Sequence, residues 1–199
     1  MLATVTVADL LRPSQKTSAF IYNIALVIGG SLLIALSAHL KVLLPFSPVP
    51  VTAQTFAVLM IGALLGAKLG SLAVIAYLIE GIIGLPFFSS GVGYTVLLGI
   101  TGGYLIGFIP AAYLTGFLAQ RGWDKRVDTT ILAMILGNLV IYTFGLLWLC
   151  RLMGISKSVL SAGLLPFIIG DLLKILLAAV LLPTGWKLLK FGGLDRKRR

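Results

Sequence analysis

A chain of 199 residues with 59% hydrophobic residues, 11% charged residues and a mean hydropathy of +1.08 differs strongly from soluble domains, in which about 25% of residues are charged. This composition excludes a soluble globular protein and predicts an all-α integral membrane protein with a single transmembrane domain over residues 1–199. The net charge of +10 does not indicate a nucleic-acid partner, because the basic residues 196–199 follow an apolar segment directly. Basic residues in that position contact the anionic lipids of a bilayer.

Six apolar segments are predicted to cross the membrane as helices of one bundle. They span about residues 20–40, 53–67, 69–85, 96–119, 130–150 and 163–189. The first segment is longer than the apolar core of a signal peptide, so we expect it to be retained. It carries Ser31 and Ala35 at the four-residue spacing of small residues that lets another helix approach closely.

Two loops lie in the first half of the chain, and the second of them is uncharged. Residues 41–52 contain three prolines and are predicted to form a stiff, extended connector. Residues 86–94 contain the aromatic side chains of Phe87, Phe88 and Tyr94. A loop of this composition either anchors at the membrane interface or covers an apolar ligand, and both interpretations stay open.

The last segment contains an acid and a base, Asp171 and Lys174, within an apolar run. A charge in the bilayer interior costs about 2.5–3.5 kcal/mol, so intramembrane charges commonly mark a functional site. The i,i+3 spacing places both side chains on one helical face, which suits either a structural ion pair or a ligand site. Glu80 is a second intramembrane acid, in the third segment.

Positive charges fall mainly on one side of this arrangement. Of the 16 Lys and Arg residues, only Lys41, Arg151 and Lys157 fall on the other side, and Lys174 lies within a segment. The positive-inside rule therefore places both termini in the cytoplasm. Polar residues then share the outer half of the bundle: Thr52, Gln54, Glu80, Thr101, Tyr104, Asn138, Tyr142, Asp171 and Lys174. This distribution favours an outward-facing pocket for a small molecule over a channel, whose polar lining would continue to the other face.

The sequence lacks the residues that several classes of function require. His39 is the only histidine and Cys150 the only cysteine, so a membrane enzyme, an internal disulfide and a cysteine-based metal motif are disfavoured. No GxxxxGK[ST] motif occurs, so we expect no P-loop ATP site on this chain, and no cofactor or metal. An ion- or proton-coupled carrier acting alone stays an alternative, with Asp171 and Glu80 as its proton sites.

Six motifs follow one another in a specific order. They are Pro45-Phe46-Ser47-Pro48-Val49-Pro50-Val51-Thr52, Gln54-Thr55-Phe56, the stretch from Gly62 to Gly70, Gly84-Leu85-Pro86, the stretch from Thr101 to Phe108, and Asp171-Leu172-Leu173-Lys174. Together they resemble the BioY family, the biotin-specific substrate-binding (S) components of energy-coupling-factor (ECF) transporters. The resemblance covers about residues 31–190.

The resemblance implies six helices and capture of biotin in an outward-facing pocket. It also implies delivery to the cytoplasm with a transmembrane T component and two ABC-type ATPases, in a prokaryotic cell membrane. Small residues of the first helix, here Ser31 and Ala35, would contact the T component. Glu80 either contacts the ligand or pairs with Lys174. The expected ligand-binding residues are Asp171, Lys174, Gln54, Glu80, Phe87, Tyr94, Thr101, Tyr104, Asn138 and Tyr142.

The chemistry of biotin suits these side chains. Its ureido group offers one carbonyl acceptor and two N–H donors, and its side chain ends in a carboxylate. Asp171 can accept from an N–H group, and Lys174 can donate to the carbonyl or to the carboxylate. A buried donor or acceptor without a hydrogen-bond partner costs free energy, and binding of biotin would give these side chains such partners.

Overall fold

The computed structural model describes residues 5–45, 47 and 49–191, so the basic residues 196–199 lie outside the description. The described helices are α1 (Val7–Leu11), α2 (Lys16–His39), α3 (Gln54–Ile82), α4 (Thr95–Leu98), α5 (Gly102–Ala119), α6 (Val127–Met153) and α7 (Lys157–Phe191). A 3-10 turn, Trp123–Lys125, lies between α5 and α6. The connector between α2 and α3 carries two short antiparallel strands, β1 (Lys41–Val42) and β2 (Val51–Thr52).

Helix α3 reverses direction at Gly66, which has φ 83° and ψ 173°. Glycine adopts a positive φ without a side-chain clash. The two arms of α3 are antiparallel, because Gln54 Nε2 donates to Tyr77 OH at 2.6 Å across 23 residues of chain. A continuous helix of that length would separate the two residues by about 35 Å. The second and third predicted segments are therefore the arms of α3, and the break lies at Gly66 rather than at the predicted Lys68.

The arms of α3 lie at the centre of the bundle. They pack against α2 and α5, and the packing continues from α5 to α6 and from α6 to α7. Gly66 lies beside Thr6 and Gln120, and we call this the Gly66 end of the bundle. The opposite end carries the connector 40–53 and the loop 83–101, and we call it the pocket end. One end of the bundle is therefore formed by the reversal of α3 and its neighbours Thr6 and Gln120, and the other by the two loops.

The structure differs from the predicted elements in several places. Among the described residues, five helices rather than six are long and apolar enough to cross a membrane: α2, α3, α5, α6 and residues 170–189 of α7. The segment predicted at 96–119 is two helices, because the chain bends at Gly99, whose carbonyl accepts a hydrogen bond from Trp148 Nε1 of α6 at 2.9 Å. The last helix begins at Lys157 instead of 163. Helix α1 was not predicted, although Thr6 and Asp9 form its capping box.

A buried acid fastens the last helix at the Gly66 end. Asp124, in the 3-10 turn, is 2% exposed and accepts a hydrogen bond from Trp186 Nε1 of α7 at 2.5 Å. Lys125 Nζ lies 4.3 Å from the centroid of the Trp186 ring. Burial raises the pKa of Asp124 from its ordinary value of 3.8 to about 6, although the Trp186 hydrogen bond and the Lys125 charge lower it. The folded protein therefore binds a proton at Asp124 more readily than the unfolded chain does.

We expect the protein to become more stable as the pH falls from 7 to 5. Because the pKa of Asp124 is higher in the folded protein than in the unfolded chain, the free energy of unfolding increases as the pH falls through about 6. The full increase is about 3 kcal/mol and is reached once the pH is below the pKa of 3.8 of the unfolded chain. Asp124→Asn keeps an acceptor for Trp186 and removes the charge, so it should be at least as stable as the wild type at pH 7. Thermal unfolding in detergent at pH 5, 6 and 7 measures the effect. The matched control is Asp128→Asn at an exposed acid, and a pH dependence retained in Asp124→Asn would contradict the assignment.

Candidate ligand-binding site

An ion pair between Asp171 and Lys174 lies inside the bundle. The two residues are one turn apart on α7, with Lys174 Nζ 2.8 Å from Asp171 Oδ1, and Asp171 is 3% exposed. Lys174 Nζ also donates to Thr52 O at 2.7 Å and to Thr55 Oγ1 at 2.9 Å. The ammonium group has three N–H donors, so all of them are engaged. A buried cation requires such pairing, because an uncompensated charge would be strongly destabilising.

The carboxylate of Asp171 receives two further hydrogen bonds, from α3 and α6. Thr55 Oγ1 donates to Oδ1 at 3.0 Å, and Tyr142 OH donates to Oδ2. We call Asp171, Lys174, Thr55 and Tyr142 the charged network. It joins α7 to the first arm of α3 and to α6. Thr55 was absent from the predicted site, although it adjoins Gln54 in the Gln54-Thr55-Phe56 motif.

A small pocket lies beside the charged network at the pocket end. Its volume is about 30 Å³, which holds one or two water molecules, so a larger ligand requires the wall side chains to move. The polar residues in its wall are Thr52, Gln54, Thr55, Ser89, Thr101, Tyr104 and Tyr142. Thr55 and Tyr142 belong to both the wall and the charged network. A ligand in this pocket would therefore lie one hydrogen bond away from Asp171 and Lys174.

Aromatic and aliphatic side chains form the rest of the pocket wall. Phe167 packs between two tyrosines, with its ring centroid 5.8 Å from that of Tyr104 and 6.3 Å from that of Tyr142. Tyr104 OH donates to Gly163 O at 2.8 Å, which fixes the ring against the start of α7. Phe108 completes this side of the wall. The pocket therefore combines flat apolar surfaces with a few directed polar groups, as small-molecule sites do.

The loop after α3 closes one side of the pocket. Its anchor is Phe88, which is buried and packs edge-on against Tyr77 with ring centroids 5.5 Å apart. Ser89 lines the pocket, and its carbonyl accepts a hydrogen bond from Lys41 Nζ at 2.5 Å. Phe87 is half-buried, and its carbonyl oxygen accepts a hydrogen bond from Tyr77 OH at 3.5 Å. Sequence reasoning missed Ser89, for which an uncharged loop gives no specific signal.

Besides Asp171 and Lys174, which lie behind the wall, four predicted ligand-binding residues do not line the pocket: Phe87, Tyr94, Asn138 and Glu80. Tyr94 is 64% exposed and immediately precedes α4. Asn138 is buried on α6 in the clefts that adjoin the charged network, and its Oδ1 has no partner among the described residues. Glu80 does not pair with Lys174, because its Oε1 accepts a hydrogen bond from Ser31 Oγ at 3.1 Å.

The small residues predicted to contact a partner protein are buried within the chain. Ser31 is 0% and Ala35 3% exposed, and Ser31 is bonded to Glu80 of α3. The four-residue spacing therefore marks a close contact between α2 and α3. This corrects the prediction that these two side chains contact a second protein.

The fold and the site define a multi-pass helical membrane protein with a pocket for a small molecule at one end of its bundle. The model of the BioY family matches residues 11–191. The chain therefore belongs to the BioY family, as the ordered motifs predicted.

Relatives and a solved structure agree with this family. The chain is 38% identical to the biotin transporter BioY of Thermotoga maritima over 168 residues, which cover 84% of this chain and 92% of the relative. It is 36% identical to the biotin transporter BioY of Rhizobium etli over 160 residues, which cover 76% and 86% respectively. The crystal structure of the S-component for biotin from an ECF-type ABC transporter matches the fold with a TM-score of 0.77 and 26% identity, covering 87% of this chain and 95% of that chain.

Proposed function

We propose that this protein is the biotin-binding S component of an ECF-type transporter, which captures biotin outside the cell and delivers it to the cytoplasm. The observation that carries the proposal is the charged network beside an aromatic pocket, in a chain of the BioY family. The named relatives, biotin transporters, supply the substrate class.

Biotin and the pocket are chemically complementary. The apolar bicycle of biotin suits the surfaces of Tyr104, Phe108 and Phe167. The polar groups of biotin suit the donors and acceptors of the wall, with Asp171 as an acceptor and Lys174 as a donor that become available when the wall rearranges. The rearrangement involves the connector and the loop after α3, since both contribute residues to the pocket wall.

The orientation that we propose places the pocket outside and the Gly66 end in the cytoplasm. The positions of basic residues support this orientation, because cytoplasmic loops carry an excess of Lys and Arg. Arg12, Lys68 and Lys125 lie at the Gly66 end, whereas Lys41 and Arg151 lie at the pocket end. The two arms of α3 cross the membrane separately, which gives the bundle six crossings and leaves both termini in the cytoplasm. The location is a prokaryotic cell membrane.

Transport in this proposal needs partners that supply energy. They are a transmembrane T component and two ABC-type ATPases, as the resemblance implies, and this chain contributes no ATP site, cofactor or nucleic-acid contact of its own. The contact with the T component uses the exposed side of α2, since Ser31 and Ala35 are occupied by α3. Leu33 and Leu36 are among the exposed apolar side chains there.

A carrier that acts alone is the second candidate function. The observation that favours it is Glu80, a half-buried acid within a crossing helix, whose buried Oε2 has no partner among the described residues. Uptake of labelled biotin into vesicles separates the two functions. We expect uptake only when the T component and both ATPases are present with ATP. Uptake by this chain alone, abolished by a proton uncoupler and by Glu80→Gln, would contradict the proposal.

A further inference from the structure

A second cavity, with a volume of about 360 Å³, lies at the Gly66 end of the bundle. Its walls come from α1, α2, α5 and both sides of the reversal in α3. It is therefore separate from the ligand pocket, which lies at the opposite end. The side chains that give it chemical character are Asp9, Arg12, Asn23, Lys68, Tyr113 and Phe117.

The cavity wall carries charges of both signs. Arg12 and Lys68 supply two cationic groups, and Asp9 supplies a carboxylate. The carboxylate is held in place, because its Oδ2 accepts hydrogen bonds from Thr6 N at 3.1 Å and from Thr6 Oγ1 at 2.8 Å. Guanidinium and ammonium groups bind phosphate oxygens, whereas a carboxylate binds an ammonium group. The wall thus suits a ligand that carries a phosphate and a cation together.

Asn23 adds an acceptor on the side of α2. Its Oδ1 is buried and has no hydrogen-bond partner among the described residues, although Asn23 lines the cavity. An unpaired buried acceptor is costly, and a donor that enters the cavity removes that cost after a small rotation of the amide. A primary ammonium has three N–H donors and can serve Asp9 and Asn23 together.

Apolar surface continues from the cavity along the bundle. Tyr113 and Phe117 of α5 stack with ring centroids 6.4 Å apart and an angle of 11° between planes, and Tyr113 is 51% exposed. Phe20 and Ile24 are exposed on α2, on either side of Asn23 in the sequence. This surface belongs to helices of membrane-crossing length. A ligand with acyl chains could therefore place its headgroup in the cavity and its chains in the bilayer.

We propose that the cavity binds the headgroup of a phosphatidylethanolamine. The phosphate lies against Arg12 and Lys68, and the primary ammonium lies against Asp9 and Asn23. A phosphatidylcholine lacks the N–H donors for Asp9 and Asn23, and a phosphatidylglycerol places no cation beside Asp9. The bound lipid joins α1 to the reversal in α3.

The test uses the purified full-length protein, delipidated in detergent, and native mass spectrometry to measure binding of dihexanoyl lipids. We expect the phosphatidylethanolamine to bind about tenfold more tightly than the phosphatidylcholine or the phosphatidylglycerol, as the loss of one charge-assisted contact implies. Lys68→Ala should weaken its binding about tenfold, and Asp9→Asn should remove the preference over phosphatidylglycerol. Arg151→Ala removes a cation at the pocket end and should leave binding unchanged.

Three results would overturn the proposal. Equal binding of the three lipids would indicate a nonspecific contact with the surrounding bilayer. Displacement of the phosphatidylethanolamine by inorganic phosphate at the same concentration would indicate a site for a free anion. Unchanged binding in Lys68→Ala, whose exposed side chain can be truncated without loss of core packing, would exclude this cavity as the site. A thermal unfolding curve of each variant verifies that it is folded.

Discussion

The double variant Asp171→Asn, Lys174→Met is expected to lose at least about 100-fold in affinity for biotin while keeping its fold. Each substitution removes a charge-assisted partner of the ligand, and two such losses at about 1.5 kcal/mol or more give this factor. Replacing both members of a buried ion pair by neutral groups of similar size is often neutral for stability. Equilibrium binding of labelled biotin and thermal unfolding in detergent measure the two quantities separately.

The single variants are expected to differ from the double variant in stability. Lys174→Met alone leaves the carboxylate of Asp171 with Thr55 and Tyr142 but without its cation, and Asp171→Asn alone leaves the Lys174 charge without its anion. Breaking one side of a buried pair costs about 3–5 kcal/mol. The double variant should therefore melt at a higher temperature than either single variant.

The control for this prediction is an acid that lies far from the pocket. Asp128 pairs with Arg126 at 2.7 Å, but both side chains are largely exposed, and exposed pairs contribute little to stability. Asp128→Asn should bind biotin like the wild type. A double variant at Asp171 and Lys174 that is folded and keeps wild-type affinity would exclude the charged network from the site.

Gly116→Ala is expected to destabilise the protein by about 3 kcal/mol, because one added carbon would force α5 away from the reversal in α3. A Cβ at residue 116 would lie 2.4 Å from Ala67 N and 2.4 Å from Gly66 C, both backbone atoms of that reversal. The gain of about 1 kcal/mol that alanine has over glycine in a helix offsets only part of this cost. Thermal unfolding in detergent measures the change.

The matched control is the same substitution where the helix has space. Gly185 lies within α7, and a Cβ placed there would have no described atom within 4 Å apart from its chain neighbours and the backbone of its own helix. Gly185→Ala should therefore leave the melting temperature unchanged or raise it slightly. Equal melting temperatures for Gly116→Ala and Gly185→Ala would contradict the packing described for α3 and α5.

Hydrophobic length and charge patterning were sufficient to predict a helical, multi-pass membrane protein and to single out several residues of the candidate site. Asp171 and Lys174 stood out because intramembrane charges are costly, and the structure surrounds them with partners from other helices. Gln54, Tyr104 and Tyr142 were predicted from their position along their segments, and they do lie at the pocket or in the charged network.

The remaining features depend on tertiary packing. The small residues Ser31 and Ala35 indicate that a helix approaches closely, but the spacing does not say whether that helix is α3 or another protein. Likewise, the rotation of α3 about its axis directs Glu80 to Ser31 instead of Lys174. Threonine is a common residue in membrane helices, so Thr55 does not stand out in the sequence. Only its hydrogen bonds to Asp171 and Lys174 show that it belongs to the charged network.

The central claim is tested most directly by equilibrium binding of the purified protein to labelled biotin, with thiamine, riboflavin and folate as competitors. We predict saturable binding of biotin that the other vitamins do not displace and that the Asp171→Asn, Lys174→Met variant lacks. Absence of saturable biotin binding, or displacement by one of the other vitamins at matching concentration, would contradict it.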